Sequence, residues 1–252
     1  MVKIIMHGCN GRMGQMISGI CKEDLEMEIA AGVDREDFGN TPYPVYTDLM
    51  ACDVKADVMI DFSTAKAVDG VLEYCVAHKM PLALCTTGLS EQQLEKVNQA
   101  QKEIAILKSA NMSLGINMLF ALLKSAAKAL APAGFDIEIV EKHHNQKIDA
   151  PSGTALALAD AVNDAFNHAY EYKFDRSGER KKREEKEIGI SSVRGGSIVG
   201  EHEVIFAGKD EVIELRHTAY SRAIFAKGAV EAAKFLKGKP AGIYDMQQVV
   251  AE

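Results

Sequence analysis

In the first half of the chain, short apolar runs alternate with segments in which apolar residues recur at helical spacing. The runs predicted to be strands are Val2–His7, Met27–Asp34, Ala56–Phe62, Pro81–Cys85 and Ile104–Leu107. Strands that alternate with helices predict a parallel sheet with right-handed crossovers. Ligands of such a sheet bind beyond the carboxyl ends of its strands.

Two of the intervening helices carry start signals. Ser63 and Thr64 are predicted to cap a helix that passes through Leu72. Ser90 with Gln93 forms a capping box for the following helix, because each side chain can reach the other residue's backbone N–H. These signals place the ends of the third and fourth predicted strands just before the two helices.

The second half of the chain has a different pattern. Residues 113–131 predict a long amphipathic helix with Leu114, Met118, Leu122 and Ala126 on its apolar side. The other elements are predicted at 135–140 (strand), 155–166 (helix), 188–207 and 210–219 (strands) and 225–236 (a last helix that packs back on the first domain). Alternation with glycine-rich turns predicts an antiparallel or mixed sheet, and therefore a separate module.

A glycine-rich turn joins the first strand to the first helix. Gly8, Gly11 and Gly14 follow the first strand, and the second strand ends in Asp34. This is the arrangement of a dinucleotide-binding fold, in which the backbone approaches a pyrophosphate at a helix N-terminus and the acid accepts hydrogen bonds from a ribose. Asn10 takes the middle position of the usual glycine triplet, and asparagine tolerates positive φ better than most residues.

The pattern therefore predicts an α/β protein. We expect an N-terminal Rossmann-type parallel-sheet domain and a smaller α+β domain with an open mixed sheet. The cofactor is NADH, NADPH or both. Asp34 favours NADH, whereas the adjacent Arg35 could pair with the 2′-phosphate of NADPH. Polar turns at 62–63, 85–87 and 109–112 follow successive strands and should line one crevice with the glycine turn.

Composition narrows the class of partner. The chain has 252 residues, 47% of them apolar, and a net charge of −7, which argues against nucleic acid. The five cysteines include no Cys-x-x-Cys pair, so neither a disulfide framework nor a metal site is expected. The N-terminus lacks a secretory signal, and no uninterrupted apolar run approaches a membrane span. We expect a cytoplasmic protein without membrane or nucleic-acid partners.

The segment Glu141–Ala155 concentrates the polar chemistry of the second half. His143, His144 and Lys147 precede a Pro-Ser-Gly-Thr turn, and an apolar helical pattern begins at Ala155. We interpret the cluster as part of a strand-to-helix connection, with either Ser152 or Thr154 as the helix N-cap. Free backbone N–H groups at a helix start favour anions. The segment therefore indicates a pocket for a carboxylate-bearing substrate with proton donors nearby.

These residues resemble those of the 4-hydroxy-tetrahydrodipicolinate reductase family, also called dihydrodipicolinate reductases. The matching segments run through the chain in the family's order: 11–14, 61–63, 86–88, 109–113, 141–155, 199–202 and 221–222. The resemblance implies NAD(P)H-dependent reduction of 4-hydroxy-tetrahydrodipicolinate in the diaminopimelate route to lysine. It also implies a homotetramer joined through the second sheet, a cofactor domain of residues 1–113 and 222–252, and a substrate and oligomerisation domain of residues 114–221.

The resemblance also implies roles for individual residues. His143 would be the acid/base residue and Lys147 the proton donor, while His144, Gly153 and Thr154 would hold the carboxylates of a small dicarboxylate substrate. The residues implied in cofactor binding are Gly8, Cys9, Asn10, Gly11, Arg12, Met13, Asp34, Arg35, Cys85, Thr86, Thr87, Ser109, Ala110, Asn111 and Met112. Cys85 departs from the family, where glycine is usual.

Three alternatives compete with this interpretation. An amino-acid or semialdehyde dehydrogenase of the same architecture would need different site residues. A non-catalytic NAD-sensing protein would keep the glycine turn but lose the proton donors, whereas His143 and Lys147 are both present. A metal-dependent hydrolase using His143 and His144 is disfavoured, because adjacent side chains on an extended segment point to opposite faces.

Overall fold

The computed structural model describes residues 1–252, which divide into two compact units. The first unit comprises residues 1–114 and 223–252, and the second comprises residues 115–222. The carboxyl-terminal residues therefore complete the unit in which the chain begins. The predicted α/β architecture, with a parallel sheet and a second mixed sheet, is confirmed.

The first unit is built on a seven-stranded parallel sheet with the order β12-β6-β5-β4-β1-β2-β3. Its strands are β1 (Val2–His7), β2 (Met27–Val33), β3 (Val45–Tyr46), β4 (Val58–Asp61), β5 (Leu82–Leu84), β6 (Ala105–Leu107) and β12 (Gly242–Tyr244). Its helices are α1 (Arg12–Glu23), α2 (Val68–Ala77), α3 (Glu91–Ala100), α6 (Ala223–Leu236) and α7 (Met246–Ala251). Apolar cores lie on both faces of the sheet, as expected of parallel strands covered by helices.

The five predicted strands of this sheet are present, but its two edges were missed. The strand β3 has two residues and β12 has three, which is too short for a periodic pattern to be visible. The helix α6 packs in the first unit, as predicted, but it is not the last helix, because α7 follows it. A capping box at Asp245 and Gln248 starts α7 and was the available signal.

The second unit holds a five-stranded sheet with the order β11-β10-β7-β9-β8. Its strands are β7 (Asp136–His143), β8 (Glu171–Lys173), β9 (Glu187–Arg194), β10 (Gly200–Ala207) and β11 (Val212–Ala219), and its helices are α4 (Leu114–Leu130) and α5 (Gly153–Asn163). Strand β9 is parallel to β7 and β8, whereas β10 is antiparallel to β7 and β11. Apolar side chains of α4 and α5 form one core with the sheet.

The apolar side predicted for α4 was wrong. Met118 and Leu122 are exposed, whereas the buried side carries Ile116, Leu119, Phe120, Leu123 and Ala127. The helix is apolar on most of its circumference, so periodicity alone could not select the face that packs. Residues 114–133, with a mean hydropathy of 1.4, are long and apolar enough to cross a membrane by length and composition only, a test that core helices also pass.

The predicted helix starts had mixed outcomes. The capping box of Ser90 and Gln93 is confirmed. Ser152, and not Thr154, is the N-cap of α5, and its hydroxyl accepts a hydrogen bond from the backbone N–H of Ala155. The caps expected from Ser63 and Thr64 were wrong, because α2 begins only at Val68. Neither of these side chains caps it.

Candidate active site

The glycine turn after β1 is shaped by close backbone contacts. Gly8 has φ +84°, and a Cβ at this position would lie 2.7 Å from the carbonyl oxygen of Phe62. A Cβ at Gly14 would lie 2.4 Å from the carbonyl oxygen of Gly8. Only glycine fits both positions, so Gly8 can approach the segment that follows β4, and the first turn of α1 can pack directly on the backbone of Gly8.

A cleft of about 560 Å³ opens beside this turn. Five of the predicted cofactor residues line it, namely Gly8, Asn10, Gly11, Asp34 and Arg35. The other lining residues are His7, Val33, Glu36, Phe38, Thr47, Leu49, Phe62, Ser63, Thr64 and Ala67. No side chain caps the N-terminus of α1, so its first backbone N–H groups are available to an anion. The volume and this uncapped end fit a dinucleotide.

Asp34 is held at the end of β2 by two backbone groups. Its carboxylate accepts hydrogen bonds from the N–H of Asn10 and the N–H of Arg35, each at 2.8 Å. The side chain of Asn10 donates to the carbonyl oxygen of Glu36 at 2.6 Å, which ties the turn to the segment after β2. A carboxylate has about four acceptor sites, so Asp34 keeps capacity for a ribose hydroxyl.

The remaining predicted cofactor residues do not line this cleft: Cys9, Arg12, Met13, Cys85, Thr86, Thr87, Ser109, Ala110, Asn111 and Met112. Cys9 is buried and a Cβ at Gly32 would meet its Sγ, so the Cys9 side chain faces the core. Burial, and then the charge of Asp34, raises the pKa of the Cys9 thiol to about 11. Burial and Asp61 also raise the pKa of Cys85 well above its usual value. Both thiols are therefore poor nucleophiles.

A buried carboxylate joins the ends of three strands of the first unit. Asp61 ends β4, has no exposed surface, and accepts hydrogen bonds at 2.6 Å from His7 Nδ1, Ser63 Oγ and Thr86 Oγ1. His7 ends β1 and Thr86 follows β5, so the three elements are fixed side by side at the edge where the cleft lies. Neither His7 nor Asp61 was predicted to be a site residue, although both are polar residues at the carboxyl ends of apolar strands.

In the second unit, β7 continues through His143, which corrects the expectation that the polar cluster begins in a loop. Positions 137, 139, 141 and 143 are buried in strict alternation. Glu141 and His143 therefore lie on the inner face of the sheet, with the core residues Ile137 and Ile139. The loop begins only at His144, whose side chain is partly exposed.

Glu141 is the centre of a hydrogen-bond network. Its Oε2 accepts from His143 Nδ1 at 2.5 Å and from an Arg194 nitrogen at 2.8 Å. Its Oε1 accepts from the other terminal Arg194 nitrogen at 2.6 Å and from the N–H of Ser152 at 3.1 Å. Burial would raise the pKa of Glu141, but the side-chain hydrogen bonds from Arg194, Ser192 and His143 outweigh it and lower the pKa to about 2. Neither Glu141 nor Arg194 was predicted to have a role in the site.

His143 lies between Glu141 and two other polar groups. Burial lowers the pKa of His143 below its usual value, Glu141 opposes this shift, and the positive charge of Lys147 adds to it. The Lys147 ammonium lies 2.8 Å from an Asp149 carboxylate oxygen. The ring of His202 meets the ring of His143 edge-on at 5.1 Å between centroids. Lys147, Arg194 and the neutral imidazole of His143 are thus brought together beside the start of α5.

The start of α5 is fixed from two sides. Ser152 Oγ lies 3.0 Å from His202 Nε2, while the Ser152 N–H is bound by Glu141. Burial, and then the neighbouring His143, lowers the pKa of His202 to about 4, so this imidazole is neutral at pH 7. Gly153 and Thr154 form the first turn of the helix. His202 lies in the segment 199–202 that carries part of the family resemblance, but no role was predicted for it.

Comparison with known proteins assigns the family. A family model described as the N-terminus of dihydrodipicolinate reductase matches residues 2–112, and one described as its C-terminus matches residues 115–250. The chain belongs to the dihydrodipicolinate reductase family. The predicted resemblance is therefore confirmed, and so is the prediction that the chain is an oxidoreductase.

Individual relatives cover nearly the whole chain. It is 52% identical over 250 residues to a 4-hydroxy-tetrahydrodipicolinate reductase of Caldanaerobacter subterraneus subsp. tengcongensis, covering 99% of this chain and 98% of that protein. It is 50% identical over 246 residues to the Clostridium tetani protein of the same name, covering 98% and 96%. Among solved structures, it is similar to a dipicolinate-bound dihydrodipicolinate reductase from Paenisporosarcina sp. TG-14, with TM-score 0.81, 25% identity and 97% coverage of both chains.

Membership of this reductase family argues against two of the alternative functions considered from the sequence. A metal-dependent hydrolase and a non-catalytic NAD sensor are both disfavoured, because the relatives that match nearly the whole chain are named as reductases. The family also implies a pyridine nucleotide as cofactor. In the first unit, the cleft at the glycine turn has the shape and the donors for such a group.

Proposed function

We propose that the chain reduces 4-hydroxy-tetrahydrodipicolinate to tetrahydrodipicolinate in the diaminopimelate route to lysine, with NADH or NADPH as the reductant. The observation that carries this proposal is the assembly of His143, Lys147 and the start of α5 around Glu141. A dicarboxylate needs positive charge and N–H donors, and a reduced conjugated imine needs a proton. The second unit supplies both.

The first unit would hold the cofactor. We assign the diphosphate to the turn from Gly8 to Met13, because α1 begins there without a side-chain cap. Asp34 would accept a hydrogen bond from the adenosine ribose, and the nicotinamide end would lie along 85–87 and 109–112. These last segments follow β5 and β6, at the same sheet edge as the glycine turn.

We expect this chain to use NADH in preference to NADPH. Asp34 and Glu36 both line the cleft beside Arg35, and Asp34 is fixed by two backbone N–H groups. A fixed carboxylate accepts well from a 2′-hydroxyl but repels a 2′-phosphate. Arg35 can offset only part of that repulsion, because its own side chain is exposed and solvated.

In the second unit, His144 and the first turn of α5 at Gly153 and Thr154 would bind the substrate carboxylates. The dipicolinate held by the Paenisporosarcina relative is itself a dicarboxylate. The dihydronicotinamide supplies the hydride when the cofactor is bound. Lys147 would then supply the proton, and His143 would be the acid/base residue that relays it: the lowered pKa leaves the imidazole neutral, so its free ring nitrogen accepts a proton and passes it to the electron-rich product.

We also propose a cytoplasmic homotetramer joined through the second sheet. Helices α4 and α5 cover one face of that sheet. The other face carries Val193, which is 44% exposed, together with the partly buried Val140 and Ile205. On this face, which neither helix covers, the three apolar side chains lie beside Glu138 and the Lys142–Glu201 ion pair, and such a mixed surface supports contact between copies of the chain. Light scattering of the purified protein would give the mass of the assembly.

The test of the function is cofactor oxidation at 340 nm. The purified protein would be mixed with dihydrodipicolinate synthase, pyruvate and aspartate semialdehyde, once with NADH and once with NADPH. We expect oxidation that requires the synthase and is faster with NADH at low cofactor concentration. No oxidation with either cofactor, from a folded protein that binds NADH, would overturn the proposal.

A further inference from the structure

Glu141 is saturated with hydrogen bonds although it has no exposed surface. Each of its two oxygens accepts two hydrogen bonds, one of them from Arg194 in both cases. A buried carboxylate is stable only when such donors replace the lost water. The donors come from β7, from the start of α5 and from β9, so Glu141 joins three elements of the second unit.

The bond from Glu141 determines which nitrogen of His143 carries the proton. A carboxylate with a pKa of about 2 is ionised at neutral pH and can only accept. His143 Nδ1 must therefore donate, and the neutral ring carries its single proton on Nδ1. The lone pair is then on Nε2. Position 200 faces this nitrogen, since a Cβ on Gly200 would lie 3.1 Å from it.

The same carboxylate fixes the start of α5. Its Oε1 binds the N–H of Ser152, whose hydroxyl in turn caps the helix through the N–H of Ala155. Arg194 extends the connection, because it also donates to the carbonyl oxygen of Asp149 at 2.7 Å. Displacement of Glu141 would thus disturb both the imidazole and the segment that leads into the helix.

We propose that Glu141 is a positioning residue that holds His143 as the Nδ1–H tautomer, leaves Nε2 as the atom that exchanges protons with the substrate, and anchors the start of α5. The inference rests on the proposed function for its catalytic consequence. The tautomer itself is independent of that function, so the two can fail separately.

Glu141→Gln is the sharpest variant, because it keeps the shape of the side chain. An amide oxygen at the Oε1 position would still accept from Ser152 and Arg194, so the amide nitrogen is directed towards His143. That nitrogen donates to Nδ1 and forces the Nε2–H tautomer, and the variant loses the 2.8 Å bond that Oε2 accepts from the second Arg194 nitrogen. We expect kcat to fall on the order of 100-fold or more, while the dissociation constant for dipicolinate changes by less than about three-fold because the Ser152 bond persists.

The measurement is the long-range ¹H–¹⁵N spectrum of the histidine rings at neutral pH, together with kcat and calorimetric dipicolinate binding. Glu138→Gln is the matched control, because Glu138 lies on the same strand and binds Arg176 and Arg183, on the face opposite His143. We expect this control to keep the wild-type tautomer of His143 and the wild-type kcat.

Two results would overturn the proposal. One is an Nε2–H tautomer of His143 in the wild-type protein, a measurement that needs no variant and stands even if Glu141→Gln fails to fold. The other is a folded Glu141→Gln protein with full kcat. Absence of reductase activity in a wild-type protein that shows the Nδ1–H tautomer would instead contradict the proposed function and leave the positioning of His143 intact.

Discussion

Each unit contains a histidine whose Nδ1 binds a fully buried carboxylate. In the first unit His7 lies 2.6 Å from Asp61, and in the second His143 lies 2.5 Å from Glu141. The two pairs differ in their other donors. Asp61 is completed by the hydroxyls of Ser63 and Thr86, whereas Glu141 is completed by both terminal nitrogens of one arginine.

The difference in donors indicates that the His7–Asp61 pair has a structural role, whereas the His143–Glu141 pair has a role in proton transfer. The hydroxyl groups of Ser63 and Thr86 hold the strand ends in position at the edge of the cofactor cleft, so this pair maintains the shape of the cleft. Arg194 keeps Glu141 ionised, and the ionised carboxylate fixes the tautomer of His143. This pair therefore prepares His143 for proton transfer. The same pairing of residues thus serves two purposes, and the surrounding donors decide which.

Removal of Lys147 should have the largest effect on activity. Lys147→Ala takes away a proton donor and the positive charge beside His143, so we expect kcat to fall about 10³-fold, within the range of general acid catalysis. NADH affinity should stay within two-fold, because the cofactor cleft lies in the first unit. Steady-state kinetics and NADH fluorescence titration would measure both, with the exposed Lys182→Ala as control.

The second unit should lose stability in acid, with the largest contributions from Glu141 and His202, in pH windows that overlap only between 4.5 and 4. The folded pKa of Glu141 is about 2 against 4.5, so its contribution is present above pH 4.5 and is lost as the pH falls towards 2. The folded pKa of His202 is about 4 against 6.5, so the stability that needs neutral His202 is present above pH 6.5 and is lost as the pH falls towards 4. Each shift corresponds to about 3 kcal/mol.

Urea unfolding between pH 7 and pH 2 would resolve the two windows. Glu141→Gln should flatten the pH dependence of the unfolding free energy below pH 4.5, and His202→Gln should flatten it between pH 6.5 and 4. A wild-type protein whose unfolding free energy is constant from pH 6.5 to 4 would contradict the burial of neutral His202.

In the first unit, Ser63 and Thr64 provide a neighbouring pair with unequal roles. Ser63→Ala removes a 2.6 Å hydrogen bond to Asp61 and should cost about 1–2 kcal/mol of unfolding free energy. Thr64 is exposed and makes no capping bond, so Thr64→Ala should change stability by less than about 0.5 kcal/mol. Equal losses in the two variants would argue that Asp61 does not organise this edge.

Removal of either of two serine caps should cost no more than removal of the Ser63 hydroxyl. Ser90→Ala and Ser152→Ala each remove a helix cap and should each cost about 1 kcal/mol. Only Ser152→Ala should also weaken dipicolinate binding, by several-fold, because its hydroxyl links His202 to the start of α5. Calorimetry on both variants would separate the two roles.

The parts of the fold that could be predicted were those with strong local signals. The central strands of the parallel sheet are continuous apolar runs, and the capping box at Ser90 is a local hydrogen-bond pattern. The buried side of α4 and the length of β7 could not be predicted, because tertiary packing selects one face of an apolar helix and buries two polar residues of a strand. The order of apolar and polar residues along the chain specifies neither the buried face of α4 nor the end of β7.

The same limit applies to the site. The cluster from His143 to Thr154 is contiguous in the chain, so its chemistry was visible. Arg194 lies far from Glu141 in sequence and reaches it only because β7 and β9 pair in parallel, with His143 opposite Arg194. The pairing of His7 with Asp61 likewise depends on β1 lying beside β4. Contacts that depend on strand order cannot be derived from local periodicity.

The most direct test of the contrast between the two pairs is kcat at saturating NADH and substrate for His7→Gln and His143→Gln, measured side by side in the synthase-coupled assay. We predict that His143→Gln loses at least about 100-fold, whereas His7→Gln stays within about five-fold of the wild type because kcat at saturation does not report cofactor affinity. Equal losses in the two variants, or full activity of His143→Gln, would contradict the assignment of proton transfer to the second unit alone.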